Sequence, residues 1–131
     1  MVVDTSALIA VALGEPTRPV LLRHIESALT RLLSAVSFLE TGMILRARLG
    51  ERSLPVLNHL LDELGLEIVA FDAEQSRRAV AAFGRFGKGM GHRAQLNFGD
   101  CAVYALAELR GQPVLATGND FASTDLTVLE L

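Results

Sequence analysis

Four carboxylates in this chain stand where a strand would hand over to a loop or a helix. Asp4 follows Met1-Val2-Val3, Glu40 lies six residues beyond Ser34, Asp100 closes Asn97-Phe98-Gly99-Asp100, and Asp120 closes Gly118-Asn119-Asp120. One acid at such a junction is ordinary turn or cap chemistry. Four of them, spread over the whole length, suggest a single acidic pocket. Carboxylates within a few ångströms of one another cannot all stay ionised without a counter-charge. Oxygen donors unaccompanied by His or Cys favour Mg²⁺, with Mn²⁺ as a substitute, over zinc. Two such ions about 4 Å apart are the usual apparatus for displacing an alcohol from a phosphodiester.

Each acid also has a purely structural reading. Asp4 ends a short β-branched strand, at the edge where open α/β sheets bind ligands, yet it would equally close an Asx turn or cap the next helix by bonding the amides of Ser6 and Ala7. Glu40 forms an i, i+3, i+4, i+7 set with Met43, Ile44 and Ala47, so it heads an apolar helical stripe. A first-turn acid gains from the helix dipole, but that does not explain its face, because an inward carboxylate must be paired, protonated or bound to metal. Asp100 repeats the pattern with Val103, Tyr104 and Ala107, and Asn97-x-x-Asp100 also resembles a capping box with Asp in place of Glu. Asp120 taken alone reads as turn chemistry.

The elements that must position these acids alternate between strand and helix. Met1–Val3, Leu32–Val36, Glu67–Phe71 and Pro113–Ala116 read as strands, with Thr127–Leu131 as a short closing one. Helices are expected from Thr5 or Ser6 to Leu13, about Pro19 to Leu29, Ser37 (as the cap) to Leu49, Leu54–Leu64, Ala73–Phe86 behind Asp72, and Asp100–Leu109 behind Asn97. Gly14-Glu15-Pro16, Gly50, Gly65 and Gly111 punctuate them. This order predicts an α/β fold with a parallel sheet covered on both faces, in one domain spanning 1–131. In a doubly wound arrangement the ends of strands one, two and four and the start of the Asp100 helix converge on one crevice.

Composition narrows the setting. The 131 residues suffice for a real core without disulfides, and the lone Cys101 points to a small buried apolar side chain and a reducing cytoplasm. No apolar run is long enough to span a membrane, and the start of the chain, with Asp4 in its apolar segment, does not read as a secretion signal. A net charge of −3 means the molecule as a whole does not attract nucleic acid, so a polyanionic substrate would need bound metal or local Arg and Lys. Half of the residues are hydrophobic. The faces carrying Leu21, Leu22 and Ile25, and Leu54, Leu57, Leu60 and Leu61, exceed what so small a core is expected to absorb, and predict burial against a partner.

Val2-Val3-Asp4-Thr5-Ser6-Ala7-Leu8, Ser34 to Glu40-Thr41, Leu96-Asn97-Phe98-Gly99-Asp100-Cys101 with Tyr104-Ala105-Leu106-Ala107, and Gly118-Asn119-Asp120-Phe121 with Thr124-Asp125 together resemble the PIN-domain ribonucleases. The likeness is specifically to VapC-type toxins of bacterial toxin–antitoxin pairs. The resemblance implies a three-layer α/β/α sandwich with a central parallel sheet. It further implies that Asp4, Glu40, Asp100 and Asp120 bind Mg²⁺, which activates water to cut RNA, with Thr5, Ser6 and Asn97 as supporting polar groups. One departure stands out. Many relatives place the last acid after a Thr-x pair, where this chain has Gly118 followed by the neutral Asn119, so Asp120 is the acid available. The expected partners are RNA, a homodimer mate, and a cognate antitoxin that lies in an apolar groove and reaches the acids with a basic side chain, giving a toxin–antitoxin hetero-oligomer.

The basic, glycine-rich stretch with Arg85, Lys88, His92 and Arg93 reads equally as an RNA phosphate contact and as a solvated connection. It is no Walker A loop, since Gly89 follows Lys88 and a helix precedes it. His24 and His59, without metal-ligand partners, read as structural or surface residues. A small-molecule phosphatase would want an acid where Ser6 stands, a phosphoacceptor receiver would want a late Lys, and a dinucleotide module would want Gly-x-Gly-x-x-Gly after the first strand. A degenerate domain that only binds a partner stays open.

Overall fold

A computed structural model describes residues 1–131. Four short parallel strands, β1 (Val2–Val3), β2 (Leu32–Ser34), β3 (Glu67–Val69) and β4 (Val114–Leu115), form one sheet in the order β3-β2-β1-β4. Helices α1 (Thr5–Ala12), α2 (Arg18–Ser27), α3 (Ala35–Leu49), α4 (Ser53–Leu64), α5 (Ala73–Phe86) and α6 (Phe98–Arg110) connect them, with a 3₁₀ turn at Gly50–Arg52.

Alternation of side chains along the strands divides the interior into two cores. Val2, Leu32 and Val114 face a cluster containing Phe86, Tyr104, Leu106 and Phe121. Val3, Leu33 and Leu115 face the opposite cluster with Leu8, Leu21, Ile25, Leu45 and Leu57. The pairing of Val2 with both Leu32 and Val114, and of Val3 with Leu115, keeps each set on its own face. This is the expected three-layer α/β/α arrangement.

The chain winds outward from β1 through β2 to β3, then returns to place β4 on the other side of β1. The reversal point therefore lies between β1 and β4, and the carboxyl ends of those two strands open a crevice there.

Several boundaries differ from the sequence expectation. Ser34, not Ser37, caps α3, because its hydroxyl accepts from the Val36 amide at 3.2 Å. Strand β2 thus stops at Ser34, and Glu40 falls in the second turn of α3, beyond the reach of a first-turn dipole effect. Asp4 itself, rather than Thr5 or Ser6, caps α1. Asn97 and Asp100 form the reciprocal capping box, which starts α6 at Phe98. The closing strand shrinks to a single bridge, Val128 beside Val114.

The apolar faces assigned to partners need correcting. Leu21, Ile25 and Leu57 are fully buried, and Leu61 is nearly so. Leu22 and Leu60 pack at the edge of that core, and only Leu54 projects into solvent. The helices that carry them cover a whole face of the sheet, so the small core absorbs more than its size suggested. Uncovered apolar side chains lie elsewhere: Leu39, Met43 and Ile44 on α3, and Val80, Phe83 and Phe98 on α5 and α6.

Candidate active site

Asp4 leaves β1 with extended backbone and turns into α1. Its Oδ2 accepts from the Ser6 amide at 2.9 Å and from the Ser6 hydroxyl at 2.6 Å, which leaves Oδ1 uncommitted. The Ser6 oxygen in turn accepts from the Thr117 amide at 3.1 Å. Ser6 thereby ties the end of β1 to the segment after β4, across the reversal point of the sheet. Asp4 therefore caps α1 and also stands at the reversal point of the sheet.

Asp100 opens α6 from the adjacent core. Its Oδ2 accepts from the Asn97 amide at 3.0 Å while Asn97 Oδ1 accepts from the Asp100 amide at 2.9 Å. Its apolar companions Val103, Tyr104 and Ala107 are buried as the spacing predicted.

Glu40 behaves differently. Met43, Ile44 and Ala47 are exposed, and α3 turns Ser37, Thr41 and Leu45 inward instead. An apolar helix can show helical spacing on more than one face, and here the buried one is the next stripe round. Glu40 is half-buried at the edge between these faces and still reaches the start of α6. A methyl group on Gly99 would lie 2.7 Å from Glu40 Oε2 and 3.2 Å from its Cδ. Only glycine leaves space for the carboxylate at that point.

Asp120 is exposed on the loop after β4. A methyl on Gly118 would approach its Oδ2 to 3.2 Å, so the carboxylate folds back over the bare backbone of Gly118. An alanine there would require the carboxylate to give by a few tenths of an ångström. Gly118 stood out in the sequence only as a departure from a family pattern, and neither glycine was read there as making room for an acid. The only available signal was their position one or two residues before an acid.

Electrostatics bring the four together. Burial raises the Asp4 pKa; the two Ser6 hydrogen bonds oppose this, and the charges of Glu40 and Asp120 add to it. Asp100 is pushed up to about 6 by burial, with the Asn97 amide opposing and Asp120, Asp4 and Glu40 all adding. Asp100 therefore feels the other three acids, and Asp4 feels Glu40 and Asp120, as groups gathered at one edge of the sheet would.

Oxygen-only donors, two of them electrostatically frustrated, fit a divalent cation that would supply the missing positive charge. The buried Thr5 hydroxyl beside Asp4 has no protein hydrogen-bond partner and adds a neutral oxygen. As the side chains stand, no three His, Cys, Asp or Glu residues are drawn into a tight cage.

The remaining expected residues are dispersed. Lys88 and Arg93 are exposed on a loop that is well tied: the Lys88 amide donates to the Leu96 carbonyl at 2.9 Å, and the Leu96 amide to the Phe86 carbonyl at 2.9 Å. Arg85 belongs to α5, and its guanidinium engages Asp125 at 3.3 Å, the Tyr104 hydroxyl at 3.4 Å and the Phe86 ring. His92 packs edge-on against Phe86. His24 meets the Glu130 carbonyl at 2.8 Å and His59 pairs with Glu63 on the surface, as their structural reading expected. No helix is long and apolar enough to cross a membrane.

Residues 1–126 match the PIN domain model, and the chain belongs to the PIN-domain family. It is 42% identical to Ribonuclease VapC30 of Mycobacterium tuberculosis (strain H37Rv) over 131 residues, covering 100% of this chain and 99% of the relative. It is also 43% identical to Ribonuclease VapC36 of the same organism over 127 residues, 96% of this chain and 91% of that one. Within the family, then, it is a VapC-type member. Its fold is similar to that of M. tuberculosis VapC20, described as a Sarcin-Ricin loop cleaving toxin, with a TM-score of 0.79 at 19% identity over 99% and 98% of the two chains. VapBC2 from Rickettsia felis, bound to a DNA fragment from its promoter, gives a TM-score of 0.77 at 14% identity over 98% and 96%.

Proposed function

We propose that this protein is the toxin of a toxin–antitoxin pair and a Mg²⁺-dependent endoribonuclease. The observation that carries the reading is that Asp4 and Asp100, both raised first by burial at the reversal point of the sheet, also both feel the charges of Glu40 and Asp120. Asp4, Asp100 and Glu40 would hold the ion, with Asp120 completing the ring directly or through water. Mg²⁺ there supplies positive charge that lowers the pKa of a water nucleophile and offsets charge building on the phosphate.

The chain's own groups do the rest. Ser6 and the Asn97 amide each occupy one oxygen of their aspartate, fixing its rotamer and directing the other oxygen outward. Gly99 and Gly118 give Glu40 and Asp120 room to lean in. Lys88 and Arg93, exposed on the loop before α6, would meet RNA phosphates and offset the net negative charge of the whole. Arg85 is already engaged and contributes less.

The antitoxin belongs to the same proposal, as does a homodimer. The uncovered α3 face and a groove of about 430 Å³, with Phe71, Val80, Phe83, Phe98 and Ala102 along it, are the apolar surfaces such partners would take. Purified protein should cleave a generic RNA in Mg²⁺ and lose that activity in the Asp4→Asn variant. Equal cleavage by Asp4→Asn would refute the role given to the acids, and no cleavage by wild type would leave a domain that only binds a partner.

A further inference from the structure

The segment after β4 carries Asp120 on exposed backbone, yet it is held at two points. Phe121 is buried in the core against α6, and its carbonyl accepts from the Thr124 amide at 3.0 Å and the Thr124 hydroxyl at 2.7 Å. Four residues further on, Asp125 Oδ1 accepts from the Tyr104 hydroxyl at 2.7 Å. Tyr104 is almost completely buried, one helical turn beyond Asp100 on the same face of α6.

A tyrosine hydroxyl has one proton to donate. The 2.7 Å bond to Asp125 takes it, and the longer 3.2 Å approach of Glu108 Oε2 cannot be satisfied at the same time. Arg85 reinforces the choice by reaching both the Tyr104 oxygen and Asp125 Oδ2. The hydrogen bond from Tyr104 correspondingly lowers the Asp125 pKa, and burial raises that of Tyr104.

We infer that Tyr104 and Asp125 form a latch that fixes the Asp120 loop to the helix carrying Asp100, and so sets the spacing between those two acids. Both are positioning residues, and their role rests on the metal-dependent reading above. Tyr104 sits on the same face of α6 as Asp100, while simple closure of the loop is already supplied by Phe121. The acceptor carboxylate is exposed on the loop, so the bond ties the buried ring's hydroxyl to that loop rather than filling the core.

The test compares wild type with Tyr104→Phe, Asp125→Ala, Asp120→Asn and the double variant Asp120→Asn/Asp125→Ala. Mn²⁺ binding without RNA is read by electron paramagnetic resonance, and RNA cleavage is read as a function of Mg²⁺. Tyr104→Phe and Asp125→Ala should weaken Mn²⁺ binding about tenfold, the usual scale for a group that orients a metal ligand. They should raise the Mg²⁺ needed for half-maximal cleavage in parallel, with KM for RNA unchanged. Adding Asp125→Ala to Asp120→Asn should then weaken Mn²⁺ binding no further. The latch is overturned if wild type binds and cleaves but both single variants keep its metal dependence. It is equally overturned if Asp125→Ala costs as much with Asp120 already replaced. A wild type that neither binds Mn²⁺ nor cleaves overturns the functional reading and the latch with it.

Discussion

Replacing Gly99 with alanine should separate activity from stability. The added methyl would stand 2.7 Å from Glu40 Oε2, about 0.7 Å inside the 3.4 Å at which ordinary contact begins. The atom in the way is the end of a flexible side chain, and the Gly99 backbone is not among the positive-φ positions, so the helix need not distort. Alanine in place of glycine in a helix gains roughly 0.5–1 kcal/mol of conformational entropy, a gain partly offset where Glu40 changes rotamer. The melting temperature should therefore stay level or rise. Glu40 must move by most of an ångström or rotate out of the crevice, and a misplacement of about 1 Å can cost on the order of 100-fold in rate. Cleavage measured across a Mg²⁺ titration, beside thermal unfolding of the metal-free protein, checks both halves. Full activity in Gly99→Ala would refute the placement of Glu40, and a fall of many degrees in melting temperature would show that Gly99 is needed for packing instead.

Three further outcomes follow from the same geometry. The folded-state value of Asp100, about 6, stands above an unfolded carboxylate at about 3.9, so the metal-free fold binds more protons between those pH values and loses stability as pH rises through them. Thermal melts from pH 4 to 7 should show this slope in wild type and lose most of it in Asp100→Asn, with Mg²⁺ restoring stability at pH 7 only to wild type; a flat wild-type profile would contradict the buried, repelled carboxylate. Phe121→Ala should cost about 3–5 kcal/mol in chemical denaturation, because a fully buried aromatic is lost from the core beside α6; a loss under 1 kcal/mol would place the ring outside that core. An antitoxin segment should depend for inhibition on a basic residue that pairs with the acids, so that replacing it relieves inhibition while apolar binding persists, measured by cleavage alongside affinity.

Much of this molecule was legible because its signals are local. Asp72, Asn97, Gly65 and Gly111 mark helix ends through hydrogen bonds and backbone conformations that involve only a few neighbouring residues. The alternation of short β-branched strands with helices was enough for the parallel sheet and hence for the convergence of Asp4, Asp100 and Asp120. What was misread depends on which of two equivalent local choices the tertiary structure selects. Ser34 and Ser37 are both competent caps, and only the pairing of β2 beside β1 and β3 makes the earlier one the boundary. The stripes of α3 are likewise similar in hydrophobicity, and contact with the rest of the fold decides that Thr41 and Leu45, not Met43 and Ile44, face inward. The burial of Leu21, Ile25 and Leu57 was underestimated for the same reason: how much surface a small core takes up depends on how the helices lie over the sheet. The Tyr104–Asp125 bond joins residues 21 positions apart, and no spacing rule announces it.

The ends left on cleaved RNA test the proposed chemistry most directly. If the ring of acids acts through a divalent ion and water, the products carry a 5′-phosphate and a 3′-hydroxyl, and EDTA abolishes their formation. Cleavage that persists in EDTA, or that leaves 2′,3′-cyclic phosphates, would mean that the RNA's own 2′-hydroxyl is the nucleophile and that the four carboxylates serve another purpose.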